Sequence, residues 1–273
     1  MTPRYPAAQV SSALGVSDVA FLGAGAFGDT WRVADHAVKI ICDGTYPPER
    51  VAREISGLSR VDDPHIVKLI RAGTIILGGD ERPALTFEYV PGGDLQARVA
   101  LGARPSSVEA EGLLRGLLKG IRALHNADGT LHRDIKPGNV ALRNGKWDEP
   151  VILDLGLAKS LSEATFTRYP GRIGTDPFMA PEQLIGNRAR KAADLFAAGV
   201  TVRLAISGRH PFYEGTQNLT IDEAIKRIES GPEPLNEDIS DPVRNVLDRL
   251  VSFNESDRGS ARSNLRRLGA DID

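Results

Sequence analysis

The chain has 273 residues and a mass of 29.4 kDa, with 41% hydrophobic residues, 26% charged residues and a formal net charge of −2. This composition excludes a disordered, collagen-like or coiled-coil chain, and the length suits one large domain or two lobes sharing a cleft. With 34 basic against 36 acidic residues there is no global attraction to nucleic acid or anionic membrane, and a single cysteine, Cys42, excludes an intrachain disulfide and a Cys-based zinc cluster.

Residues 1–18 read as a short lead-in without an apolar signal core, and no run approaches the ~18 apolar residues of a membrane span. The expectation is a cytoplasmic chain without a span. From Val19 to Val90 short apolar segments alternate with turns, and strands are expected at Val19–Leu22, Thr30–Val33, Ala37–Ile41, Ile66–Ala72 and Leu85–Tyr89. One helix interrupts them at Pro48–Leu58, with Pro in its first turn and Val51, Ile55 and Leu58 on one face. After Pro91-Gly92-Gly93-Asp94, a hinge candidate, the character becomes helical. Val108–Asn126 carries a stripe of Leu113, Leu114, Leu117, Leu118, Ile121 and Leu124. Further helices are expected at Pro181–Ile185, Arg190–Ser207, Ile221–Ser230, Pro242–Phe253 and Ser260–Leu268. The fold class is therefore α+β, a small β-rich part with one helix followed by a larger, mainly helical part.

Three constellations carry chemistry. The first is Gly23-Ala24-Gly25-Ala26-Phe27-Gly28, where absent side chains would let backbone amides approach phosphates. Three glycines at these offsets arise by chance roughly 0.3 times in such a chain, so a plain hairpin turn explains them equally well. A helix should follow a dinucleotide-binding loop, but Thr30-Trp31-Arg32-Val33 reads as a strand, which makes the element a β-hairpin lid. The second is Lys39 in the strand Ala37-Val38-Lys39-Ile40. A strand Lys is usually solvated, but Glu54 on the nearby helix is a candidate partner, and the pair would fix an ammonium beneath the lid.

The third is His132-Arg133-Asp134-Ile135-Lys136-Pro137-Gly138-Asn139. Its five matching residues occur by chance roughly 3 × 10⁻⁵ times in this composition. Fifteen residues after Asn139, the apolar run Val151-Ile152-Leu153 ends in Asp154. Asn139 and Asp154 supply oxygen ligands suited to Mg²⁺ bridging phosphate oxygens. Asp134 is placed to accept a hydroxyl proton, and Lys136 to neutralise a transferring phosphoryl group.

With these motifs the chain resembles the eukaryotic-type Ser/Thr protein kinase family, in its bacterial branch, from about Val19 to Leu268. Asp63-Pro64-His65-Ile66-Val67-Lys68-Leu69, Glu88-Tyr89-Val90, Gly174-Thr175-Asp176-Pro177-Phe178-Met179-Ala180-Pro181-Glu182, Asp194, Gly199 and Arg258 extend the match. The resemblance implies a bilobal protein kinase fold, with a lead-in at 1–18, an N-lobe at 19–90, a C-lobe at 91–268 and a tail at 269–273. It leaves no stretch for a sensor or anchor within this sequence. It also implies Mg·ATP as cofactor, with Mn²⁺ an alternative ion. The Gly23–Gly28 loop would cover the phosphates, and Lys39, held by Glu54, would contact the α- and β-phosphates. Adenine would bond the backbone of Glu88 and Val90, with Phe87 as gatekeeper, Asp94 near the ribose, and Thr30, Ala37 and Ala141 lining the base. A hydrophobic spine would run through Leu58, Leu69, His132 and Leu155, anchored by Asp194, and Arg258 would pair with Glu182.

Some positions depart from the family pattern. Leu155 replaces the usual Phe, Thr30 a Val and Ala141 a larger aliphatic, so the base would lose apolar contact worth ~25 cal/mol per Å². Gly138 replaces a common Glu, which removes support for basic substrates. Lys136 and Thr175 match the Ser/Thr class, and Arg133 matches kinases activated by phosphorylation, here with Thr165 and Thr167 (or Ser160 and Ser162) as candidates. The implied partners are a protein substrate bearing Ser or Thr and a regulatory protein, with the chain a monomer or transient homodimer. A pseudokinase and a small-molecule phosphotransferase are the alternatives. The catalytic residues speak against the first, and the Lys136 and Ala180-Pro181-Glu182 patterns against the second.

Overall fold

Alternation of apolar residues along short segments builds a sheet, and long apolar stripes build helices. In this chain the two kinds of element separate into two compact units, Met1–Asp62 with Val67–Tyr89, and Asp63–Ile66 with Val90–Asp273. The structure, a computed structural model, describes residues 2–127, 130–154, 177–215 and 219–270, without the side chains of Arg50, Arg53 and Glu54.

The first unit is an antiparallel sheet of β1 (Ala20–Ala24), β2 (Gly28–Val33), β3 (His36–Ile41), β4 (Leu69–Leu77) and β5 (Asp80–Glu88), in the order β1-β2-β3-β5-β4. Residues 1–18, read as a lead-in, contain a helix, α1 (Ala7–Leu14), stopped by Gly15 in the left-handed conformation at φ 67°. Val10 of α1 is fully buried in a cluster with Val19, Trp31, Val38, Ile40, Leu77 and Ala84. Eight residues with one buried anchor show little periodicity, and such a helix owes its existence to packing on the sheet. The helix α2 (Pro48–Leu58) forms as expected, with Pro48 at its first position and Val51 and Leu58 buried.

Two strands differ from expectation. β4 and β5 run on to a Gly78-Gly79 turn with φ of 66° and 90°, the geometry a tight hairpin demands. Polar Arg71, Thr74 and Arg82, with the strand-disfavouring Gly73 and Pro83, hide the strands' outer halves because β4 is a largely exposed edge. Ile66, expected to open the fourth strand, instead belongs to the second unit, where it bridges Ile152.

The second unit is helical. Its elements are α3 (Leu95–Ala100), α4 (Ser107–Asn126), α5 (Pro181–Leu184), α6 (Lys191–Ser207), α7 (Ile221–Glu229), α8 (Asp241–Leu250) and α9 (Ala261–Arg267), with a hairpin of β6 (Val140–Leu142) and β7 (Pro150–Ile152). α3 and β6 were not foreseen. Ser106 and Glu109 form a reciprocal capping box on α4, whose six stripe residues are all fully buried. α6 is buried nearly all round, packing on α4 and α8, so it sits at the centre of the unit.

Candidate active site

In the first unit the register of the sheet sorts the expected nucleotide residues. Thr30 pairs with Lys39, Arg32 with Ala37, Lys39 with Leu85 and Ala37 with Phe87. Side chains alternate along strands, so Thr30, Ala37, Lys39 and Phe87 share one face, and Trp31, Val38 and Ile40 occupy the other, beneath α1. Lys39 is buried on its face. Glu54 lies on α2, with its side chain outside the described residues.

Gly23 and Ala24 end β1, Gly25, Ala26 and Phe27 make the turn, and Gly28 opens β2. A Cβ on Gly28 would lie 1.9 Å from the Ile40 carbonyl oxygen, which makes glycine obligatory there; around Gly23 the space is open. Glu88 ends β5, and its single N–H donates to Lys68 O at 3.0 Å.

In the second unit the loop before β6 is cross-linked around Asp194, a buried carboxylate on α6. Its two oxygens accept from His132 N at 3.0 Å and Arg133 N at 2.7 Å, and His125 Nε2 meets it at 2.9 Å. The loop needs this support because Arg133 has φ 65°, a region L side chains rarely adopt. Burial lowers the Arg133 pKa, opposed by Asp194, and a guanidinium stays charged through such a shift.

Beyond the kink, Asp134 becomes the focus. Lys136 Nζ donates to its two oxygens at 3.0 and 2.8 Å, and Asn139 Nδ2 bonds both its carboxylate and its backbone carbonyl at 2.8 Å. The amide nitrogen of Asn139 therefore faces Asp134, and Oδ1 points elsewhere. A short helical turn at Pro137–Asn139 makes this spacing possible.

Leu153 ties the next segment in. Its carbonyl accepts from His132 Nε2 at 2.8 Å, and its N–H donates to Asn139 O at 2.8 Å. Since His132 Nδ1 accepts from Asp134 N, the imidazole is the neutral Nε2–H tautomer. This clamp brings Asp154, at φ 48°, one residue from the strand pairing with Asn139. Sequence reasoning missed the clamp, which engages Leu153 only through its backbone N–H and C=O. Asp94 and Ala141 also meet, as a backbone bridge, and the Asp94 carboxylate caps α3 through Ala97 N at 2.7 Å.

Among the remaining expectations, Arg258 and Glu182 do pair, and both are buried. Thr165, Thr167, Thr175, Leu155, Ser160 and Ser162 lie outside the described residues. An unforeseen feature is His210. Its Nε2 bonds Pro177 O at 3.0 Å, its Nδ1 accepts the amides of Phe212 and Tyr213, and its ring stacks on Tyr213. It thereby holds the start of the segment leading to Ala180-Pro181-Glu182. Burial pushes its pKa down to about 4, with the Pro177 bond opposing.

Comparison with known proteins bears on the chain as a whole. Residues 16–267 match the family model described as the protein kinase domain. The chain is 30% identical over 262 residues to a probable serine/threonine-protein kinase, PkwA, of Thermomonospora curvata, covering 93% of this chain and 34% of that protein. It is 30% identical over 248 residues to the serine/threonine-protein kinase PknA of Mycobacterium tuberculosis, covering 87% of this chain and 56% of that one. The chain thus spans about a third to a half of these relatives. A crystal structure of Rad53 1-466 in complex with AMP-PNP superposes with a TM-score of 0.69 and 25% identity, over 91% of this chain and 64% of that one.

Proposed function

The chain belongs to the protein kinase family, and we propose that it transfers the γ-phosphoryl group of Mg·ATP to Ser or Thr hydroxyls of a protein. One observation carries this reading: Asp134, Lys136 and Asn139 converge within 2.8–3.0 Å on a loop locked by Asp194.

The donor set fits a hard cation. Asn139 Oδ1 and the Asp154 carboxylate are oxygen donors on segments joined by the Leu153 clamp, and two protein ligands suit an ion that keeps waters and phosphate oxygens. Among the described residues no group of three His, Cys, Asp or Glu forms a denser cage. When bound, Mg²⁺ or Mn²⁺ supplies neutralising charge to the phosphate oxygens.

The chain's own residues do the rest. Asp134 accepts the proton of the attacking hydroxyl, and its oxygen is aimed by Lys136 and Asn139. Lys136 brings positive charge to the transferring group, and Lys39 brings it to the phosphates from the sheet. Positioning dominates, because the reaction asks for little covalent chemistry from the protein. Lys136 and Thr175 favour Ser/Thr acceptors, and Thr165 or Thr167 would be sites of autophosphorylation read by Arg133. A cytoplasmic location and a regulatory partner protein complete the reading. Incubation with a mixed protein substrate and ATP, followed by phosphoamino-acid analysis, should yield phosphoserine or phosphothreonine; phosphotyrosine alone would refute the Ser/Thr assignment.

A further inference from the structure

The glycine-rich loop is held by a residue far away in sequence. Asp29, directly after Gly28, has its side chain on the α1-covered face of the sheet and is only 1% exposed. Arg4 meets it twice, with its backbone N–H at 2.6 Å from Oδ2 and its Nη1 at 2.5 Å from Oδ1. The same guanidinium reaches on with Nη2 to the carbonyls of Gly25 at 2.7 Å and Ala26 at 3.1 Å. Arg4 is itself rooted, because Tyr5 lies against Gly78 and Pro6 starts α1, whose Val10 is in the core.

These contacts do more than neutralise a buried carboxylate. The carbonyl of Phe27 accepts from the amides of Cys42 at 2.7 Å and Asp43 at 3.0 Å, and that of Gly28 accepts from Gly25 N at 2.8 Å. Four consecutive carbonyls, from residue 25 to 28, are therefore each engaged by a protein donor. In a planar trans peptide the N–H points opposite to the C=O. Anchoring the Gly25 and Ala26 carbonyls to Arg4 thus turns the N–H groups of Ala26 and Phe27 away from the guanidinium and from the α1-covered face. The loop's donors are oriented before any ligand arrives.

We propose that Arg4 is a positioning residue for nucleotide phosphates, acting through Asp29 and the loop carbonyls to preorganise the amides of the glycine-rich loop. The inference rests on the nucleotide reading of that loop. It separates two roles within one side chain. A lysine can neutralise Asp29, but its single ammonium cannot also span two carbonyls in a fork.

The test is direct binding of Mg·ATP and of adenosine, by calorimetry, to wild type, Arg4→Lys and Arg4→Ala, with thermal unfolding alongside. Arg4→Lys should keep the wild-type melting temperature, yet bind Mg·ATP about tenfold more weakly, as for a loop competent only about a tenth of the time. Its affinity for adenosine, which lacks phosphates, should be unchanged. Arg4→Ala should lose Mg·ATP affinity at least as far and melt earlier; should it fail to fold, Arg4→Lys carries the test. Wild-type Mg·ATP affinity in Arg4→Lys, or an equal loss for adenosine and Mg·ATP, overturns the proposal. A wild-type protein that binds neither ligand overturns the nucleotide reading itself, and the proposal with it.

Discussion

Arg258 and Glu182 meet as a two-pronged fork, Nη1 to Oε1 at 2.7 Å and Nη2 to Oε2 at 2.9 Å, with the arginine fully buried. The same guanidinium bonds the carbonyls of Ser252, Phe253 and Ala192 and lies 4.9 Å from the centre of the Phe196 ring. It pins α5, which follows the segment from Pro177, to the centre of the helical unit. Removing one partner leaves the other charge buried, at a cost of about 3–5 kcal/mol. Arg258→Ala should therefore lower the denaturant midpoint steeply, and Arg258→Lys should recover only part, since an ammonium cannot form the fork. Equilibrium urea unfolding checks both.

Asp194 has an indirect role. With both oxygens engaged by His132 N, Arg133 N and His125 Nε2, Asp194→Asn would turn an amide donor against backbone donors. The expected loss is about 3 kcal/mol of stability. It should also cost roughly 100-fold in turnover, because a displacement of about 1 Å at Asp134 has that order of effect. Steady-state kinetics beside thermal unfolding would separate the two losses.

The motif's glycines should not be equivalent. Gly28→Ala forces a methyl to within 1.9 Å of the Ile40 carbonyl and should disrupt the β2–β3 pairing, at about 1–3 kcal/mol or more. Gly23→Ala has open space and should melt within about 1 kcal/mol of wild type, while weakening Mg·ATP binding if phosphates approach that backbone. Thermal unfolding of the two variants, without nucleotide, decides the first point.

Stability should depend on pH through His210. Its folded pKa of about 4 lies below the ordinary 6.5, so the unfolded chain binds the extra proton between these values. The stabilisation is complete above pH 6.5, falls as pH drops through the window, and is gone below about 4, for a change on the order of 3 kcal/mol. His210→Asn should show a flatter stability curve over pH 4–6.5 than wild type, measured by urea unfolding at each pH.

The sequence made the candidate catalytic loop legible because Asp134, Lys136 and Asn139 lie within six residues, and local chemistry leaves a local signature. The α4 stripe was legible for the same reason. The Glu182–Arg258 pair became visible only through the family resemblance, since 76 residues separate its partners. What stayed hidden is non-local or ends on backbone. Helix α1 owes its position to Val10 meeting the sheet, the Leu153 clamp engages that residue only through its backbone N–H and C=O, and Arg4 finds Asp29 across 25 residues. The outer halves of β4 and β5 were lost to polar residues on an exposed edge, although Gly78-Gly79 is the turn signal that would have recovered them.

The most direct test is transfer of radiolabelled γ-phosphate from ATP, with Mg²⁺, to protein by wild type and by Asp134→Asn. The geometry around Asp134 predicts label on phosphoserine or phosphothreonine with wild type and a loss of about 10²–10⁴-fold in the variant, at unchanged Mg·ATP affinity. Equal incorporation by both proteins would contradict the account.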